Sequence, residues 1–147
     1  MVEMNGKTLR DKKLTELKEK IKELDCQLGL AVIQVGDNEA SKVYVRQKEK
    51  LALELGYKYV HKHFPADVSQ EELIKEIELL NQDDSIDGIL VQMPLPDHMN
   101  AKAVVDAISP LKDVDGMNAL SLGELLINKE DAIKPATPRA ILELLKG

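Results

Sequence analysis

The chain predicts an α/β fold: three layers, α/β/α, around a mainly parallel sheet of about four strands. Two observations carry that expectation. Helix-period and strand-period apolar patterns alternate along the chain, with no repeat and no low-complexity stretch. Among them lies Gly88-Ile89-Leu90-Val91, a nearly unbroken apolar run of the kind buried on both faces of a parallel sheet. With no linker composition, residues 1–147 read as one domain, long enough to bury a sizeable core.

The elements follow in order. Thr8 to about Leu24 reads as a helix, with Leu14, Leu17, Ile21 and Leu24 at three- and four-residue steps. Leu30 to Val35 is a short β-rich run closed by Gly36-Asp37-Asn38. A second helix from about Glu39 to Leu55 stops at Gly56, a natural C-terminal glycine. Tyr57 to Phe64 is a strand ended by Pro65, and Ser69 with Glu72 forms a capping box that opens a third helix. Gly88 to Gln92 is the buried strand, broken by Met93-Pro94-Leu95-Pro96. Short helices over Asn100–Ile108 and Ala119–Ile127 flank a loop, Ala132 to Lys134 reads as a weak strand, and Pro138 to Lys146 as a last helix.

Composition narrows the function. Lysine plus arginine number 20 against 26 acids, a net charge of -6, which disfavours nucleic acid or an anionic membrane surface as partner. Three tyrosines, one phenylalanine and no tryptophan leave little for a base-stacking platform. The single cysteine, Cys26, excludes an internal disulfide and multi-cysteine metal sites. The polar N-terminus and the lack of a long apolar run remove a signal peptide and a membrane span. A cytoplasmic acidic protein is expected.

The second helix holds the most informative side chain. On its wheel Lys42, Arg46, Glu49, Lys50 and Glu54 share one side, and Ala40, Val43, Tyr44, Leu51, Ala52 and Leu55 the other. Lys48 falls in the apolar arc, four residues after Tyr44 and adjacent to its ring. Three readings stand: the stem snorkels to water, the amine pairs with a buried acid, or a desolvated amine with a lowered pKa shuttles protons. Gln92 ends an apolar strand, where open α/β sheets bind ligands, or it merely satisfies loop backbone.

In Lys112-Asp113-Val114-Asp115-Gly116, alternate carboxylates have different jobs, one bracing the loop and one accepting hydrogen bonds from a ligand; a solvated acidic turn is the plainer alternative. The run lacks the oxygen ligands and closing glutamate of a calcium loop. His61 and His63 can share a strand face but have no third ligand nearby, so no metal is expected. Cys26 is expected in an apolar, inert setting. Neither phosphate-cradling glycine motif is present.

Taken together, these segments resemble the bifunctional methylenetetrahydrofolate dehydrogenase/methenyltetrahydrofolate cyclohydrolase family. Val35 to Lys48 looks like its first signature, Gly88 to Pro96 its second, Pro110 to Gly116 its third, and Pro135-Ala136-Thr137-Pro138 the lead into its interdomain helix. The resemblance implies the family's N-terminal catalytic domain, of the amino-acid-dehydrogenase-like kind, binding tetrahydrofolate derivatives. It favours the proton-shuttle reading of Lys48. Tyr44 would stack on the folate, Gln92 would hold the lysine amine, and Asp115 would grip the pterin. Val91 and Pro94 would line the cleft.

Ala136 replaces the family's usual cysteine, and Ala140 a usual glycine, which is expected to alter how the last helix starts. The family would continue past Gly147 into a domain carrying the NAD(P) site and most of a homodimer contact. No cofactor is therefore expected on this chain. The domain alone is expected to be monomeric and to lack dehydrogenase activity. A folate-binding fragment without turnover is the alternative. A flavodoxin- or receiver-like signalling domain is a third reading, weakened by the single acid, Asp37, near the end of the first strand.

Overall fold

The computed structural model describes residues 5–146. Helix α1 (Gly6–Lys22) is followed by β1 (Gly29–Val35), α2 (Glu39–Glu54), β2 (Lys58–Phe64), α3 (Gln70–Gln82) and β3 (Gly88–Val91). Then come α4 (Ala101–Asp106), α5 (Ala119–Leu126) and α6 (Ala136–Leu145). Side chains that compete with backbone for hydrogen bonds start most of these helices. Asn5, Asn38, Asn100 and Asn118 each accept from backbone N–H groups in the first turn, and Ser69 with Glu72 forms the expected reciprocal box.

The sheet is parallel, in the order β2-β1-β3. On one face Ala31, Ile33 and Val35 of β1 and Ile89 and Val91 of β3 meet Leu73, Ile77 and Leu80 of α3 and Val104 of α4. Those side chains form the main core. The other face carries Val32 and Gln34, with α2 over it: the Tyr59 hydroxyl of β2 reaches the Val45 carbonyl at 3.5 Å. Among the described residues no helix is long and apolar enough to cross a membrane.

Three sequence expectations change. The sheet has three strands rather than about four. Ala132 to Lys134 is irregular, because Pro135 offers no donor and the edge beside β3 is occupied by the loop after α4. There Ile89 N–H donates to the Lys112 carbonyl at 2.7 Å and Ile89 bridges Asp113. The last helix begins at Ala136, with Pro138 inside its first turn, where a missing N–H costs no helical bond; it runs unbroken through Ala140. Cys26 is exposed rather than in an apolar setting.

A further feature concerns α1, whose Leu14, Leu17 and Ile21 recur at three- and four-residue steps. It has no buried residue. Leu17 and Leu24 are 37% and 46% exposed, while Leu9, Leu14 and Ile21 are half-buried. Ion pairs from Lys18 to Glu54 (2.6 Å) and from Lys13 to Glu143 (3.0 Å) tie it to α2 and α6.

Candidate active site

The site lies at the carboxyl ends of β1 and β3, where parallel strands stop and their loops diverge. Side chains alternate along a strand, so Ile89 and Val91 enter the core and Gln92, just past β3, turns to the α2 face. The backbone of Gln92 is held there by its N–H on the Ile33 carbonyl at 2.8 Å.

The inward stripe of α2 runs Ser41, Val45, Lys48, Ala52, Leu55, at steps of four and three. It is rotated by roughly 70° from the centre of the apolar arc on the wheel, at about 100° per residue. Val43 and Tyr44, both apolar-arc residues, are more than half exposed. Lys48 occupies the middle of the stripe and is half-buried.

Its Nζ donates to Gln92 Oε1 at 2.8 Å and stands 5.9 Å from the centroid of the Tyr44 ring. Gln92 Nε2 donates to the Met93 carbonyl at 2.7 Å, and the Ser41 hydroxyl donates to the same oxygen at 3.3 Å. Burial pushes the Lys48 amine below the usual lysine range, opposed in part by Asp115. A lowered pKa is the property a lysine needs to exchange protons near neutrality.

The two acids of the 113–115 segment sit in different settings. Asp113 is fully buried and braces the loop: its carboxylate accepts from Gly116 N–H (2.9 Å), Asn118 N–H (2.8 Å) and the Ser121 hydroxyl (3.1 Å). Asp115 is half-buried, and no group among the described residues donates to its carboxylate. Burial raises its pKa, Lys48 opposes that, and Asp113 adds to it. A partly desolvated carboxylate with open acceptor positions suits a ligand carrying N–H groups.

Two glycines let this loop approach. A Cβ at Gly88 would stand 2.4 Å from Val114 Cγ1, so only glycine lets Val114 lie on β3 between the acids. Gly116 turns with φ +67, a left-handed conformation, against Ile133 and Lys134.

A cleft of about 220 Å³ opens beside these groups, lined by Val91, Met93, Asp115, Met117, Pro135 and Thr137 among others. Ligand pockets for whole small molecules usually span roughly 300–1,000 Å³, so this one suits a single ring system. Lys48, Gln92 and Tyr44 are not among its lining residues; Gln92 bonds the lining residue Met93, and Lys48 bonds Gln92 and feels the charge of Asp115. Val91 contributes to the wall although 5% exposed, whereas Pro94 stands exposed and its neighbour Met93 lines the cleft. Ser41 and Met93 were missed by the sequence reading. The available signal for Ser41 was its place seven residues before Lys48, on the same helix face.

Away from this site, the rings of His61 and His63 stack at 5.9 Å, and among the described residues no cluster of three or more potential ligands could hold a metal.

Comparison with known proteins gives consistent matches. Residues 4–115 match the model described as "Tetrahydrofolate dehydrogenase/cyclohydrolase, catalytic domain". The "Bifunctional protein FolD" of Halalkalibacterium halodurans is 47% identical over 146 residues, covering 97% of this chain and 52% of that protein. The bifunctional FolD methylenetetrahydrofolate dehydrogenase/cyclohydrolase of Campylobacter jejuni superposes with a TM-score of 0.93 at 42% identity, over 97% of this chain and 52% of that one. The Trypanosoma brucei methylenetetrahydrofolate dehydrogenase-cyclohydrolase, solved with NADP and an inhibitor, gives 0.91 at 32% identity, over 99% of this chain and 51% of its own. The chain spans about half the length of the curated relatives it matches.

Proposed function

Because the chain belongs to the tetrahydrofolate dehydrogenase/cyclohydrolase family, we propose that it is the folate-binding catalytic domain of an enzyme that oxidises 5,10-methylenetetrahydrofolate with NAD(P)+ and hydrolyses the methenyl product to 10-formyltetrahydrofolate. The observation that carries this reading is the half-buried Lys48 amine, 2.8 Å from Gln92 Oε1 and within electrostatic reach of Asp115, which lines the cleft. In the hydrolysis, water adds through its oxygen to the cationic methenyl carbon and gives up a proton. The new hydroxyl proton is then passed to N5 as the carbon–N5 bond breaks, leaving the formyl group on N10. One proton is released overall. A Lys48 amine with a lowered pKa repels the cationic substrate less and can accept that proton.

Asp115 takes the pterin's amino and ring N–H groups as a charged acceptor. The exposed Tyr44 ring packs on the folate beyond the cleft. Val91 and Met93 supply apolar wall around the bound ring.

No glycine-rich dinucleotide fingerprint occurs in the sequence. The turn from β1 to α2 has a single glycine, and its Asn38 side chain is spent on Ser41 N–H. This chain's part in the oxidation is to orient the folate, and we place the dinucleotide site outside residues 1–147. The reading carries with it a cytoplasmic, homodimeric full-length enzyme.

Incubating the chain with methenyltetrahydrofolate and following the loss of its absorbance tests the proposal. Hydrolysis by the wild-type chain and none by Lys48→Ala is the expected result. Binding without turnover in both would reduce the chain to a folate-binding fragment, and no binding would overturn the reading.

A further inference from the structure

The bonds between α2 and the end of β3 form a closed chain whose second anchor has no part in the chemistry above. Ser41 and Lys48 lie on one face of α2, seven residues and about 10 Å apart. Lys48 reaches Gln92 Oε1, Gln92 Nε2 reaches the Met93 carbonyl, and the Ser41 hydroxyl reaches that same carbonyl. Ser41 is 4% exposed, so water does not compete freely for its hydroxyl. We propose that Ser41 is a positioning residue that fixes the Gln92 amide, through the Met93 carbonyl, with its oxygen and not its nitrogen toward Lys48.

An amide is nearly symmetric in shape and opposite in function at its two ends. With Oε1 toward the lysine, the contact accepts a hydrogen from either the ammonium or the free amine. With Nε2 toward the lysine, only the lone pair of the free amine could be met, and the ammonium would face a donor. The orientation therefore acts on the lysine's proton affinity. The Met93 carbonyl selects it, because a carbonyl can accept only from the Nε2 end. Ser41 in turn pins that carbonyl to the helix that carries Lys48. The other titratable groups facing the amine are Tyr44, on its own helix, and Asp115, from the loop after β3, with Asp113 behind Asp115.

The consequence is specific. Removing the Ser41 hydroxyl frees the carbonyl and lets the amide turn over, which lowers the proton affinity of Lys48 further. The mechanistic meaning rests on the folate reading, but the orientation can be measured without any folate. In the 147-residue chain, NMR would follow the Gln92 side-chain amide protons and the Lys48 Cε shift against pH. The expected result is a hydrogen-bonded, well-dispersed Gln92 amide in wild type. In Ser41→Ala that dispersion collapses and the Lys48 titration midpoint moves lower. Ser41→Thr, which keeps the hydroxyl, restores both, and melting curves confirm that each variant is folded.

A kinetic cycle reads the same coupling. Ser41→Ala should slow methenyltetrahydrofolate hydrolysis about 3- to 10-fold, the scale of one hydrogen bond, with little change in KM. In a Gln92→Ala background the same change should cost less than about 2-fold, since the two act as one unit. Additive losses together with an unmoved Lys48 midpoint would overturn the proposal. An altered NMR signature in a chain that hydrolyses nothing would sustain the positioning role and count against the folate reading alone.

Discussion

Lys48 and Gln92 are 44 positions apart in the chain and 2.8 Å apart in the fold, amine against amide oxygen. The pairing needs a helix face and a strand end to agree in both register and rotation. A lysine at that place on a helix is desolvated, which a merely snorkelling lysine would not be.

Lys48→Met keeps the apolar stem and removes the amine. Hydrolysis of methenyltetrahydrofolate should fall by about 10²–10⁴, the usual worth of a positioned acid–base group. Folate binding, followed by calorimetry, should be nearly unchanged. Loss of affinity as severe as loss of rate would make the lysine a binding residue instead.

Asp115→Ala should behave in the opposite way. Each charge-assisted hydrogen bond to the pterin is worth roughly 1.5–3 kcal/mol, so affinity should drop by at least about tenfold. Folding stability should hold or rise, because a half-buried carboxylate that no described group donates to is lost. Titration calorimetry and a melting curve on the same protein separate the two effects.

Asp113→Ala should instead unfold the site. It leaves the N–H groups of Gly116 and Asn118 without their buried acceptor, at roughly 1–3 kcal/mol each. Urea unfolding would show a lower midpoint, and folate affinity would fall with it. A variant as stable as wild type would contradict the bracing role.

A methyl group at Gly88 tests the approach of the loop. Gly88→Ala would put Cβ against Val114 Cγ1 and cost about 1–3 kcal/mol through overpacking. Val114→Ala in the same chain should recover most of that loss. Thermal melts of the two single variants and the double variant supply the comparison.

The amine also makes a pH prediction. The folded pKa of Lys48 lies below the 10.5 of an unhindered lysine, so between those values the unfolded chain holds more protons. Stability attributable to this group therefore rises with pH across that window. Lys48→Met should melt higher than wild type at neutral pH, and the gap should shrink toward about pH 10. A gap that widens with pH would reverse the assigned direction of the shift.

Much of this was legible in the residues themselves. The capping box at Ser69 and the buried run at Gly88–Val91 are local features, and local rules place them well. The alternation of Asp113 and Asp115 hinted at different settings, but spacing alone left a solvated acidic turn as the plainer reading. The rotation of α2 was less legible. A helical wheel counts Val43 and Tyr44 as apolar and sends them inward, but it cannot distinguish a side chain that meets the core from one left exposed beside a cleft. Ser41 was hidden for the complementary reason: its partner is a backbone carbonyl from another element, which no side-chain pattern encodes. The absent strand at Ala132–Lys134 depended on a loop taking the sheet edge first.

The N-terminal helix, held by ion pairs together with a half-buried rather than a fully buried face, is in part an ionic-strength-sensitive latch. Exposed pairs such as Lys18 with Glu54 contribute about 0–1 kcal/mol each and are screened by salt. Amide hydrogen exchange in α1 should therefore accelerate in molar salt while β1 and α3 keep their protection. The cleft does not draw on α1 for any of its lining residues. Ligand affinity and the attachment of this helix thus draw on different residues, and Lys18→Ala should loosen the helix without changing the residues that line the cleft.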